Sequence, residues 1–213
     1  MFPPVESAND DGVVAIGGDL RPEILREAYR SGIFPWPVED LPLLWFAPPR
    51  RALLFLDEFH TPRRLARQLR ADPFEIRFDT NFLAVIESCS AARKDAEGTW
   101  ITDDMIAAYT HLHELGEAHS VEAYRDGQLA GGLYGVSWGG YFAGESMFHT
   151  AGGASKAALV GLVEQLRQHG AKWIDVQMMT PLFASFGARE VPRAEFMGLL
   201  RDALAESTAL FRV

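Results

Sequence analysis

The clearest periodicity in the chain lies between Tyr141 and Met178. Tyr141, Phe142 and Phe148 form a run of high strand propensity, Gly152 and Gly153 interrupt it, and Ser155 supplies an oxygen where a helix N-cap belongs. Leu159, Leu162, Val163 and Leu166 recur at helical spacing until Gly170 stops the helix, and Trp173 to Gln177 follows as a short buried strand. The pattern predicts strand, glycine loop, helix and strand in succession, a βαβ unit. Polar groups interrupt this apolar frame: Glu145 on the first strand, Asp175 on the second, and the amide of Gln177 two positions on. Alternation of strand faces directs Asp175 and Gln177 to one side, about 6.6 Å apart.

The rest of the chain patterns around this unit. Leu20, Ile24, Leu25 and Ala28 share one face of a short helix that Gly32 ends. Phe34, Trp36, Trp45 and Phe46 then sit among Pro35, Pro37, Pro42, Pro48 and Pro49, which exclude a long helix and hold the rings on rigid loops. Such rings form either a proline-braced small core or a platform for stacking. Thr61 and Pro62 start a helix bearing Arg63, Arg67 and Arg70 on one face. Phe74, Ile76 and Phe78 alternate as a strand, Thr80 or Asn81 caps the next helix, and a polar loop over 93–100 ends in Trp100. Thr102 caps a helix whose apolar face is Met105, Tyr109, Leu112 and Leu115. A hairpin turning at Asp126 and Gly127 leads into the βαβ unit. Residues 178–192 read as a loop with a short helical segment, and Arg193 to Glu206 as a terminal helix.

Composition narrows the function. With 48% hydrophobic residues over 213 positions the chain can bury a sizeable core. Its N-terminus has no basic and apolar leader, and no apolar run reaches the roughly 20 residues of a bilayer span, so a cytoplasmic location is expected. The lone Cys89 cannot form an internal disulfide and reads as a small buried hydrophobe. His111 and His113, two apart on a helix, splay by roughly 200° and are poor metal ligands together. A net charge of −9 argues against indiscriminate nucleic-acid binding. Yet Arg50, Arg51, Arg63, Arg64, Arg67 and Arg70 concentrate 6 of the 20 basic residues in one short stretch, as a local phosphate-binding surface would.

A helix following a central strand through a glycine loop is the order used by acyltransferases of the N-acetyltransferase type. More specifically, the chain resembles bacterial leucyl/phenylalanyl-tRNA–protein transferases, in IGGDL at 16–20, GIFPW at 32–36, EGTWIT at 97–102, AYTHLHELGEAHSVE at 108–122, GGLYGV at 131–136, GESMF at 144–148, ASKAAL at 154–159 and DVQ at 175–177. The resemblance implies an α+β fold: a small N-terminal α/β domain with proline-rich aromatic loops over 1–62, then an N-acetyltransferase-like (GNAT-type) mixed-sheet catalytic domain over 63–213. It implies an enzyme, expected to be a monomer, that moves leucine, phenylalanine and less readily methionine from aminoacyl-tRNA to proteins with N-terminal Arg or Lys. That transfer marks the acceptor for degradation, with no metal or organic cofactor and no membrane partner. Asp175 and Gln177 match residues that activate the incoming α-amine, and Glu145 one that holds the acceptor. Trp36, Phe142 and Met147 match positions at the aminoacyl-adenosine pocket, which Trp100, Leu133 and Ser146 are expected to complete. The tRNA-binding set expected from the charge pattern is Arg63, Arg64, Arg67, Arg70 and Arg51. The chain departs from the family in carrying Gly153 where asparagine is usual, Leu182 near a usual histidine, and APPRR after the tryptophan pair.

The residues themselves fit aminolysis of an ester, a downhill reaction that asks mainly for positioning, proton removal and oxyanion support. Two other classes compete. An acyl-CoA N-acyltransferase would carry a glycine-rich pyrophosphate cradle that HTAGGASK lacks, and a non-catalytic adaptor for basic N-termini would have no use for the arginine stripe.

Overall fold

A computed structural model describes residues 2–38, 41–94 and 100–211. The chain runs β1 (Val13–Ile16), α1 (Pro22–Arg30), β2 (Phe34–Trp36), β3 (Leu44–Phe46), β4 (Arg50–Phe55), α2 (Arg63–Ala71), β5 (Glu75–Phe78), α3 (Phe82–Lys94) and α4 (Asp103–Glu114). It continues through β6 (Ala118–Arg125), β7 (Gln128–Trp138), β8 (Tyr141–His149), α5 (Ala154–Gln168), β9 (Trp173–Gln177), α6 (Pro181–Ser185), β10 (Arg189–Pro192) and α7 (Arg193–Ala205). A three-stranded antiparallel sheet has the order β1-β3-β2, and a seven-stranded sheet the order β10-β4-β9-β8-β7-β6-β5. Among the described residues of the larger sheet only β8 and β9 pair in parallel, joined by the crossover helix α5. This is the α+β, mixed-sheet arrangement expected from the sequence.

Local chemistry accounts for the elements. Thr102 caps α4 by accepting from the Met105 amide at 3.3 Å. Asp126 and Gly127 both have positive φ, 52° and 75°, the geometry of the tight turn between β6 and β7. At the end of α5, Gly170 takes φ 84° and Ala171 donates to the Leu166 carbonyl at 3.0 Å, closing the helix as a glycine C-terminus should. The start of α5 differs from expectation: the N-cap is Gly153 at φ 92°, and Ser155 lies inside the first turn.

The sheet separates two apolar layers. One packs α1, α3, α4, α7 and the small sheet through Tyr29, Phe34, Trp45, Tyr109 and Phe196. The other packs α5 and the C-terminal tail through Leu159, Leu162, Leu166 and Phe211. Cys89 is fully buried, as expected of a small hydrophobe.

Three features of the N-terminal and C-terminal segments differ from expectation. The proline-rich region contributes strands as well as loops, because β2 and β3 pair at Phe34–Phe46 and Trp36–Leu44. β4 is an inner strand of the larger sheet, between β10 and β9, although the expected division at 62/63 leaves it on the N-terminal side. The loop expected over 178–192 ends in β10, which pairs with β4 from Arg189–Leu53 to Pro192–Arg50. Its four residues are mostly exposed, and so short an edge strand has no period to read. The polar loop before Trp100 lies, over residues 95–99, outside the described residues. Among the described residues no helix is long and apolar enough to cross a membrane, and no cluster of His, Cys, Asp and Glu could hold a metal ion.

Candidate active site

β8 and β9 touch as strands at a single register position, Ala143 opposite Asp175, so the sheet opens beyond it. On the β7 side, Tyr134 faces Ser146 and Gly135 faces Gly144, which leaves Glu145 as the extra residue of a bulge. Gly135 permits this, since a Cβ there would stand 2.2 Å from the Ala143 carbonyl oxygen. The bulge re-aims Glu145 into the gap between β8 and β9. There its Oε1 accepts a hydrogen bond from Gln177 Nε2 at 2.8 Å.

Gln177 ends β9 with φ 61°, a left-handed conformation that a non-glycine residue rarely adopts. The turn lets its backbone N–H donate to Asp175 Oδ1 at 2.9 Å while its side chain reaches Glu145. Asp175 itself is fully buried and fully engaged. Arg51 Nη2 donates to Oδ2 at 2.7 Å, Arg51 Nε to Oδ1 at 2.8 Å, and the Tyr141 hydroxyl to Oδ2 at 2.8 Å. Arg51 also lies 4.6 Å from the ring centroids of both Phe34 and Phe196.

Glu145 is the titratable group in an unusual state. Burial is the largest influence and raises its pKa to about 7, hydrogen bonds from Tyr29 and Gln177 pull it down, and the Asp175 charge pushes it further up. The hydroxyls of Tyr29 and Tyr109 form a short hydrogen bond, and the Tyr109 hydroxyl lies 3.5 Å from Glu145 Oε2. Burial, the largest cause, also raises the pKa of both tyrosines and of Tyr141 well above the ordinary value, so all three are neutral donors. Burial alone would lower the Arg51 pKa, but the facing Asp175 charge leaves it raised.

Beside Glu145 and Gln177 opens a cavity of about 180 Å³, lined by Leu133, Ser146, Met147, Leu159, Leu162, Ile174, Val176, Leu182 and Phe183. That is the scale of one apolar side chain, below the usual range of roughly 300–1,000 Å³ for small-molecule sites. Glu145, Gln177, Leu133, Ser146 and Met147, expected at the site, therefore share one pocket. Leu182 forms part of its apolar wall.

Other expected residues are placed elsewhere. Phe142 does not line this cavity; it is fully buried, with its ring centroid 5.7 Å from that of Phe211. Trp36 and Trp100 stack on each other at 5.2 Å, half-buried, and do not line the cavity. Arg63, Arg64, Arg67 and Arg70 are exposed together along α2. Arg51 is the exception in the expected tRNA-binding set: only 1% exposed, it lies beneath Asp175 and cannot present its charge to a phosphate. The sequence carries a signal for this, since a basic residue inside the apolar run RALLFL of a central strand needs a buried partner. Tyr109 and Tyr141 read in the sequence as core and strand-forming residues. Nothing in helical or strand spacing announces that their hydroxyls, with that of Tyr29, converge on two acids.

A profile of the leucyl/phenylalanyl-tRNA protein transferase family matches residues 53–201, and a profile of that family's N-terminal domain matches residues 18–49. A relative from Nitratidesulfovibrio vulgaris, a leucyl/phenylalanyl-tRNA–protein transferase, is 49% identical over 213 residues, covering 100% of this chain and 91% of its own. Another of the same name, from Stutzerimonas stutzeri, is 52% identical over 210 residues, covering 98% and 93%. Among solved structures, the C-terminal domain of a putative lysylphosphatidylglycerol synthetase from Agrobacterium fabrum aligns with a TM-score of 0.51 at 13% identity, covering 86% of this chain and 69% of that one. That likeness concerns the fold alone.

Proposed function

This chain belongs to the leucyl/phenylalanyl-tRNA–protein transferase family, enzymes that use aminoacyl-tRNA and protein substrates, and we propose that it joins leucine, phenylalanine or methionine to proteins whose N-terminal residue is Arg or Lys. The product is a substrate for degradation, and the setting is the cytoplasm. The observation that carries this reading is the apolar cavity beside a bulged, buried Glu145 and the strained Gln177. A leucyl or phenylalanyl side chain enters the cavity, which places its ester carbonyl next to the two polar side chains.

In the reaction the α-amine nitrogen of the acceptor attacks the ester carbonyl carbon, a tetrahedral oxyanion forms, and the bond to the ribose oxygen breaks. The amide forms, and the proton lost by the amine ends on the ribose hydroxyl of the departing tRNA. Gln177 donates its Nε2 to Glu145, so its side-chain oxygen is left to accept from the incoming amine. Glu145, with a pKa of about 7, is matched to an amine near neutral pH and takes the part of cation holder and proton acceptor. Asp175 has its charge compensated by Arg51 and acts as a positioning residue, fixing the Gln177 backbone.

Transfer of labelled leucine from leucyl-tRNA to an Arg-initiated peptide tests the proposal. Transfer to that peptide, and none to the same peptide with an N-terminal Ser, is the expected result; equal labelling of both would overturn the acceptor assignment.

A further inference from the structure

The groove beside the glycine loop is basic although the protein carries a formal net charge of −9. About 520 Å³ in volume, it separates α2 from the first turn of α5, and its polar lining is Arg64, Gln68, His149, Ser155, Lys156 and Ser185, with no carboxylate. Arg64, His149 and Lys156 are exposed there, and none pairs with an acid among the described residues.

Two independent features point to a ligand. α5 is 15 residues long and begins on Gly153 with no side-chain cap, so the positive end of its dipole is uncompensated by the protein. The carbonyl of Gly152 is occupied by Gln68 Nε2 at 2.9 Å, which ties α2 to the loop. Separately, Ser155 is only 6% exposed and lines the groove, yet its hydroxyl has no hydrogen-bond partner among the described residues. Its oxygen is not sealed from solvent, so it is open to a ligand in the groove.

We propose that this groove binds a phosphodiester, the one nearest the aminoacylated end of the tRNA, with Ser155 donating a hydrogen bond and Lys156 and Arg64 supplying charge. The inference rests on the transferase reading above and adds to it a site distinct from the α2 stripe. The geometry connects the groove to the acyl cavity. Ser155 lies one helical turn, about 6 Å, before Leu159, which lines that cavity. α6 likewise gives Leu182 and Phe183 to the cavity and Ser185 to the groove, where Phe186 follows it. A ligand with its acyl group in the cavity and an anion one sugar away spans both. From Arg64, the cations Arg63, Arg67 and Arg70 continue outward along α2 toward later phosphates.

The test compares leucyl-adenosine with and without a 5′-phosphate as donor to an Arg-initiated peptide. The unmodified enzyme is expected to prefer the phosphorylated donor by about tenfold in kcat/KM, the order of one charge-assisted contact. Ser155→Ala combined with Lys156→Gln should abolish that preference and leave transfer from the unphosphorylated donor unchanged, while Ser155→Thr, which keeps the hydroxyl, should retain it. Inorganic phosphate should compete with the phosphorylated donor alone. No preference in the unmodified enzyme, or equal slowing of both donors by the double variant, overturns the proposal. Tight binding of inorganic phosphate without discrimination between donors also overturns it, by making the groove a site for a free anion. Transfer from neither donor nor from leucyl-tRNA sinks the transferase reading instead.

Discussion

The guanidinium of Arg51 and the carboxylate of Asp175 meet at 2.7 Å with side chains 1% and 0% exposed, although the residues stand 124 apart in sequence. Neither is available to a substrate. The pair spans the β4–β9 contact and, through the Gln177 backbone, fixes the end of β9 where the sheet opens. Removing one partner of such a pair leaves an uncompensated buried charge and typically costs about 3–5 kcal/mol, whereas replacing both with apolar groups costs far less. Arg51→Met is therefore expected to lose about that much stability in urea titration, and Arg51→Met with Asp175→Leu to recover most of it. Transfer should stay impaired in the double variant, because the Gln177 backbone is no longer anchored. Full activity there would show that the pair serves folding alone.

Glu145 should set the pH dependence. Its pKa of about 7 lies above the ordinary carboxyl value, so the folded state holds its proton more tightly than the unfolded chain does. This group therefore favours the folded state fully below a pH of about 4.5, and that contribution is lost as pH rises through about 7. Glu145→Gln, permanently neutral at nearly constant shape, is expected to be more stable than the unmodified protein at pH 8 and about equal at pH 4.5. In kinetics, kcat/KM for the peptide should rise through pH 7 in the unmodified enzyme as Glu145 ionises. The variant should lose that inflection and keep only the one belonging to the acceptor amine, with its ordinary value of about 8. Identical profiles for both proteins would remove Glu145 from proton transfer and from cation binding alike.

Gln177 offers a separation of stability from activity. At φ 61° a non-glycine residue carries strain of roughly 1 kcal/mol or more, which glycine relieves, while removing the side-chain hydrogen bond to Glu145 costs about as much. Gln177→Gly is thus expected to melt within a few degrees of the unmodified protein yet to transfer roughly 100-fold more slowly, the loss typical of a transition-state interaction. A large drop in melting temperature would instead mean that the left-handed turn is held for packing. Near-normal transfer would leave the side chain without a role.

How much of this is legible in the sequence depends on the kind of signal. The βαβ unit is, because Leu159, Leu162, Val163 and Leu166 keep helical period and Gly170 ends it, and those same positions pack α5 on the sheet. The hairpin is, because Asp126 and Gly127 are the residues that accept positive φ. Glu145 and Gln177 stand out as polar residues in an apolar frame. β10 does not, being four residues of an edge strand held by its ladder to β4 and not by any pattern of its own. Nor does the bulge at Glu145, which depends on a one-residue mismatch between β7 and β8 that neither strand shows alone. Spacing puts Arg51 near the arginine stripe, and tertiary structure takes it inward to Asp175. The side on which Phe142 falls requires the register of the whole sheet.

The α2 stripe makes a prediction that separates binding from chemistry. Arg63, Arg67 and Arg70 are exposed on a helix whose one buried residue is Leu65, so their neutralisation should leave the core intact. Each phosphate neutralised by a cation releases condensed counterions, so the slope of log affinity against log salt falls by roughly 0.7–0.9 for every phosphate that is no longer neutralised. The triple replacement by Gln is expected to weaken binding to all tRNAs about equally and to flatten that slope by about two to three units, with the melting temperature unchanged. Transfer from leucyl-adenosine, which carries no phosphate, should be unaffected, because the cavity and the Glu145–Gln177 pair are built on β8 and β9. An unchanged slope with intact tRNA would make the stripe a solvated face. Reduced transfer from leucyl-adenosine would mean instead that α2, which Gln68 ties to the glycine loop, shapes the active site directly.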